Sequence, residues 1–252
     1  DNGSSIFNTT FELIANEYHA DPDGSIAGDA NGDGTRDAAD DEFIEFINTT
    51  GADVDISGYK IYDYRGFEEG IANHVVPAGT VIPDNGFYVL FGGGTPTGTF
   101  GGATVQTASN TGDNLSLTND GDSVFIEDAS GTVVFTFDTS ELNDSWGGNE
   151  AVARDPDITG NFVLHSSLTT ALLYSPGLLN NTMTWTGAVN NNWTNSDNWN
   201  TVSVFTNVIA FIPDTSNHPV IEESDIIQIT AVDIENNATL EVKGTLSVAN
   251  RI

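Results

Sequence analysis

The chain of 252 residues carries 6 lysines and arginines against 37 aspartates and glutamates, a formal net charge of -31. That balance repels nucleic-acid phosphates and anionic headgroups, so it excludes a nucleic-acid partner. No apolar run reaches the roughly 18–20 residues of a membrane span, which argues against direct membrane insertion. Hydrophobic residues at 38% and aromatics at 10% supply a packed core, so the acidity does not signal disorder, and with no cysteine for disulfides a metal is the other common staple.

Residues 1–10 form a polar N-terminal extension. The short apolar or alternating runs then begin: Phe11–Ala15, Glu42–Ile47, Tyr59–Tyr62, Phe87–Phe91, Leu115–Thr118, Ser123–Glu127 and Thr132–Phe137. Gly, Asn, Asp, Ser and Thr punctuate them at the spacing of an all-β sandwich or barrel. No segment sustains an i, i+3, i+4, i+7 stripe, so little helix is expected. Asn119-Asp120-Gly121-Asp122 reads as a hairpin turn, because Asp-Gly tolerates positive φ. Gly92–Gly94 and Gly98–Gly102 read as a flexible loop. They lack the lysine and following helix of a phosphate-binding loop.

Between the first two runs lies an acidic loop, Asp29-Ala-Asn-Gly-Asp-Gly-Thr-Arg-Asp-Ala-Ala-Asp40. Side-chain oxygens fall at Asp29, Asn31, Asp33, Asp37 and Asp40, with Gly34 at the sharp turn and the Thr35 carbonyl at the seventh position. Calcium takes 6–8 oxygens, and alternate residues of a tight loop can all turn toward one point. Asp40 is shorter than the glutamate usual at that place, so Asp41 or Glu42 could complete the shell. Asp21 and Asp23 lie just upstream, and so many carboxylates repel one another without a counter-ion. The flanking runs look like strands, so a strand-to-strand calcium loop is expected rather than a helix-flanked one. The plainer alternative is a solvated acidic turn.

A composition shift near Ser175-Pro176-Gly177 places a module boundary at about residue 180, dividing 11–180 from 181–252. The second part holds Trp185, Trp193 and Trp199, then the β-rich runs Val208–Ile212, Ile226–Val232 and Thr239–Val248. The tryptophans could stack on sugar, but core packing is the favoured reading because each brings large apolar area. The chain ends at Arg251-Ile252 without a closing turn, so this module is expected to be incomplete.

Chemistry is sparsely signalled. His19, His74, His165 and His218 are scattered, which disfavours zinc. Glu17, Glu42 and Glu45 could in principle pair for glycoside hydrolysis, but Glu17 and Glu42 suit bracing the loop or capping the sandwich edge better. No Gly-x-Ser-x-Gly occurs. The expectation is a protein that is not an enzyme.

Glu12-Leu-Ile-Ala-Asn-Glu17, the acidic loop, Asp41-Glu-Phe-Ile-Glu-Phe-Ile-Asn48 and Val54-Asp-Ile-Ser-Gly-Tyr59 together resemble the lamin tail domain of secreted bacterial proteins. Val76-Pro-Ala-Gly-Thr80, Leu115–Asn119 with Gly121–Val124, Asp128-Ala-Ser-Gly131 and Arg154-Asp-Pro-Asp157 extend the resemblance over about residues 10–180. Tyr59 stands where that family usually has tryptophan, and Asp63–Asn73 is less typical. The resemblance implies an immunoglobulin-like β-sandwich in a secreted or cell-surface protein, with a structural or adhesive role and no catalysis. The segment from Thr184 resembles surface-repeat or β-helix regions of Bacteroidetes-type secreted proteins. Calcium is the expected ligand. A glycan-binding accessory module of a secreted hydrolase, with surface glycans or proteins as partners, and a fibre subunit that self-assembles by strand addition, stay open beside it.

Overall fold

The computed structural model describes residues 11–110, 112, 114–119, 121–138, 148–201 and 208–249, so the extension 1–10 lies outside the described residues. The chain divides into two compact units, residues 1–165 with 176–178, and residues 166–175 with 179–252.

The first unit holds twelve described strands: β1 Leu13–His19, β2 Phe43–Asn48, β3 Val54–Asp55, β4 Lys60–Tyr62, β5 His74–Val75, β6 Val81–Ile82, β7 Phe87–Phe91, β8 Thr104–Thr107, β9 Ser123–Glu127, β10 Val133–Asp138, β11 Val152–Asp155 and β12 Asn161–Leu164. A six-stranded sheet runs β12-β11-β1-β2-β7-β8, a four-stranded sheet runs β10-β9-β4-β5, and β3 pairs with β6. One core cluster joins the two larger sheets, with Leu13, Ala15, Tyr18, Ile44, Phe46 and Leu90 from one and Ile61, Val124, Ile126, Val134, Phe135 and Phe137 from the other. Phe46 meets Phe135 edge-on at 5.5 Å, and Phe11 lies against both. Tyr59 packs on the same cluster, so the smaller ring still fills that slot. This is the expected all-β, immunoglobulin-like sandwich followed by a β-rich module.

A bulge decides which residues of β1 face the core. Ala15 pairs with Phe46 and Glu17 with Glu45, which leaves Asn16 as the extra residue. Side chains alternate across a strand, so one inserted residue reverses the alternation after it. Leu13, Ala15 and Tyr18 therefore face the core. Glu17 and His19 fall on the opposite face, yet neither is exposed.

One expectation fails locally. Leu115–Thr118 is not a strand, because Asn114 and Ser116 take φ of 52° and 57°, which breaks extension, although Leu115 and Leu117 still enter the core. Within the less typical stretch 63–73 a short helix, α1 (Tyr64–Glu69), forms; the Asp63 carboxylate accepts from Gly66 N at 2.7 Å at its start.

The second unit is built on parallel pairing. Its strands are β13 Thr182–Thr184, β14 Ile209–Ile212, β15 Val220–Ile221, β16 Ile226–Ile229, β17 Ala231–Ile234, β18 Glu241–Val242 and β19 Thr245–Val248. β14 pairs with β17, β15 with β18 and β16 with β19, all parallel, and β13 pairs with β14 from the other side. β14, β15 and β16 thus each meet the third strand after them, so one turn of chain stacks on the last. The runs Ile226–Val232 and Thr239–Val248 each split into two strands at the corners this winding needs. Trp185, Trp193 and Trp199 lie in the core with Met183, Ala210, Ile212, Ile221 and Ile229. Trp199 packs edge-on against both other indoles, at 5.1 and 4.7 Å, and donates to the Trp193 carbonyl at 2.8 Å. The three rings are therefore core and not a sugar platform. Among the described residues no helix is long and apolar enough to cross a membrane.

Candidate functional site

The acidic loop joins β1 to β2, so two neighbouring antiparallel strands fix its ends. Inside it, side chains accept from nearby backbone N–H groups, the local turn that Asx residues favour. Asp29 accepts from Gly34 N at 2.9 Å, Asn31 from Asp33 N at 3.0 Å, and Asp33 from Thr35 N at 2.9 Å. Asp37 accepts from Ala39 N at 2.9 Å and Asp40 N at 3.2 Å. Asp41 spans the loop, with one oxygen accepting from Asn31 N at 3.1 Å and the other from Asp37 N at 2.7 Å.

The segment 92–97 forms the seat of this loop. Gly92 N donates to Glu42 O, Gly93 N to Asp40 O, Thr97 N to Asn31 O and Thr95 N to the Asp33 carboxylate. A Cβ on Gly92 would lie 1.8 Å from Ala39 O, and one on Gly93 2.1 Å from the Asp40 carboxylate. The glycine run read as a flexible loop is a close-packed support, and its lack of side chains is what admits the acidic loop.

Charge is concentrated there. Arg36, the loop's own cation, spends its guanidinium on the carbonyls of Pro22 and Asp23. Burial, then the charge on Asp37, pushes Asp40 up; burial, opposed by its backbone hydrogen bonds and aided by Asp29, pushes Asp41 up. Asp37 is held below its ordinary range by the N–H groups of Ala39 and Asp40.

The ten residues expected to bind metal do not all share one place. Asp29, Asn31, Asp33, Thr35, Asp37 and Asp40 lie along the loop proper. Asp41 is fully buried and holds the loop together through its two N–H partners. Glu42 turns away to Leu117 N at 3.0 Å, and burial pushes its carboxyl up to about 8. Asp21 accepts from Asn119 Nδ2 and Asn149 N, and Asp23 from the N–H and hydroxyl of Ser25. Among the described residues no three His, Cys, Asp or Glu side chains converge closely enough to hold a cation. The loop supplies oxygen donors of the kind calcium takes, held in a fixed order along the chain but not drawn to a single point.

A second polar cluster gathers two of the glutamates weighed in the sequence as a hydrolytic pair. Glu17 and Glu45 stand opposite each other on the outer face of the large sheet, both fully buried. Glu45 accepts from Asn16 Nδ2 at 3.1 Å and Gly177 N at 2.6 Å, and His165 Nε2 lies 3.8 Å from Glu17. Such burial denies these glutamates access to a substrate. The sequence named both glutamates but gave no sign that Asn16, Gly177 and His165 would surround them.

These features define a class of protein: an immunoglobulin-like β-sandwich whose polar groups brace loops and sheet faces. The lamin tail domain family matches residues 8–141, a little over half of the chain, and the chain belongs to that family. It is a family of non-enzymatic structural domains. No curated protein matches the chain.

Proposed function

We propose that the chain is a non-catalytic structural module of a secreted or cell-surface protein, and that calcium clamps its β1–β2 loop. The observation that carries this reading is the crowding of oxygen donors between Asp29 and Asp40, pinned in order by backbone hydrogen bonds, with Arg36 engaged elsewhere. Asp29, Asn31, Asp33, Asp37 and Asp40 with the Thr35 carbonyl would hold the ion. Calcium would supply the positive charge that offsets repulsion among the carboxylates. The rest of the loop needs no metal: Asp41 and the 92–97 seat hold its frame, and the ion would draw the donor side chains together within it.

Titration calorimetry with calcium tests this. Binding that is lost in Asp33→Ala or Asp37→Ala, with the fold retained, is the expected result. No heat of binding at millimolar calcium would overturn it.

A further inference from the structure

A groove of about 580 Å³ opens in the second unit, and the calcium reading makes no use of it. Its lining comes from successive levels of the stacked chain: Val189 to Asn191, residues 216–220, and Thr239 with Glu241. The bridge between Asn192 and Val220 and the pairing of Val220 with Glu241 set these levels side by side. Three levels at about 4.8 Å spacing give a track roughly 10 Å long, the span of two linked sugar rings. The volume falls in the range usual for ligand sites.

The chemistry of the lining is amide and hydroxyl, with Val189 (57% exposed) as apolar surface. The amides are anchored. Asn190 Oδ1 accepts from Asn192 N and Asn198 Nδ2, and Asn217 Nδ2 donates to Gly187 O at 2.7 Å. Each therefore spends one end on the fold and keeps the other. His218 also lines the groove, and its Nδ1 is buried with no hydrogen-bond partner among the described residues. The lining carboxylate is Glu241, 3.8 Å from Lys243 Nζ, so nothing in the lining favours an anion.

We propose that this groove binds a neutral, hydroxyl-rich glycan chain laid across the levels of the stack. Groups that both donate and accept match sugar hydroxyls, and the apolar surface matches the C–H faces of the rings. Glycan recognition then resides in the groove and not in the buried tryptophans.

Affinity electrophoresis of the whole chain through gels containing soluble mannan, xylan, mixed-linkage glucan or galactan tests the proposal, with polygalacturonate as the charged comparison. The expected result is retardation by at least one neutral polymer and none by polygalacturonate. Asn191→Ala and Thr239→Glu, both at exposed positions, should each weaken the retardation about fivefold, the worth of one net hydrogen bond, with unchanged melting. Retardation by no neutral polymer, or retardation untouched by either substitution, overturns it. Preferential retardation by polygalacturonate does the same.

Discussion

At the scale of single residues, the buried Glu17–Glu45 pair makes stability depend on pH. Burial first, and then the charge on Glu17, pushes the Glu45 carboxyl well above its ordinary value of 4.5. The groups facing it are Glu17 from β1, Asp157, the amide of Asn16 and the N–H of Gly177, with His165 beside Glu17. A folded-state pKa above the unfolded one means the native state retains a proton that the unfolded chain releases. Stability from this group is therefore full below pH 4.5 and falls as pH rises through the raised value. His19 and His74 act in the other direction. Burial draws His19 down to about 3 and lowers His74 from 6.5, so both stay neutral in the folded chain, and their contribution is lost as pH falls below 6.5. Glu17→Gln removes the like charge. It should raise the melting temperature at pH 8 relative to the native chain and change it little at pH 5. Parallel melting profiles for the two proteins would contradict the coupling.

At the scale of elements, the β1 bulge and the segment 176–178 hold the outer face of the large sheet together. Deleting Asn16 takes out the inserted residue and leaves Leu13, Ala15 and Tyr18 on the core face, but it removes the amide that bonds Glu45, Asp157 and the Ile158 N–H, at a cost of about 1–3 kcal/mol. The expected outcome is a lowered but still cooperative melt by circular dichroism; an unchanged melt would mean the Asn16 contacts contribute nothing to the outer face. Gly177 sits against Phe100, where a Cβ would approach the Phe100 carbonyl to 2.1 Å. Gly177→Ala should destabilise by about 1–3 kcal/mol in denaturant unfolding, since forced overpacking costs that much; an unchanged midpoint would show that the segment yields freely. Much of this level was legible in the sequence. Phe87–Phe91 and Ser123–Glu127 are strands at the expected residues, because alternating β-branched and aromatic runs between turn residues leave little choice. The bulge was not legible, since one extra asparagine leaves no local signature. Nor was the seat at 92–97, because a glycine run reads alike whether it is loose or close-packed. Leu115 and Leu117 misled for a related reason: both are buried, but the backbone reaches the core through positive φ rather than as a strand.

At the scale of the whole molecule, the net charge of -31 is the dominant constraint. Self-repulsion opposes the compact state and is screened by salt. A divalent cation held at one loop would act beyond that screening, so the two effects are separable. The sandwich was legible from spaced motifs along residues 10–180, and the family match over 8–141 agrees with the core of that span. The parallel stacking of the second unit was legible only as β-rich runs, since nothing in an alternating run says whether its partner lies two residues or some twenty residues away. The acidic loop was legible as a list of oxygen donors. What the list could not convey is that Asp41 and Glu42, adjacent in sequence, point to different partners, Asp41 into the loop and Glu42 toward Leu117.

The central claim is that calcium clamps the β1–β2 loop, and differential scanning calorimetry at constant ionic strength tests it most directly. With calcium at about 100 times its dissociation constant, linkage gives about 2.7 kcal/mol, or an upward shift of roughly 5–10 °C in the sandwich transition relative to chelator. Asp33→Ala should abolish that shift. Melting curves that superimpose in calcium and in chelator would contradict the claim.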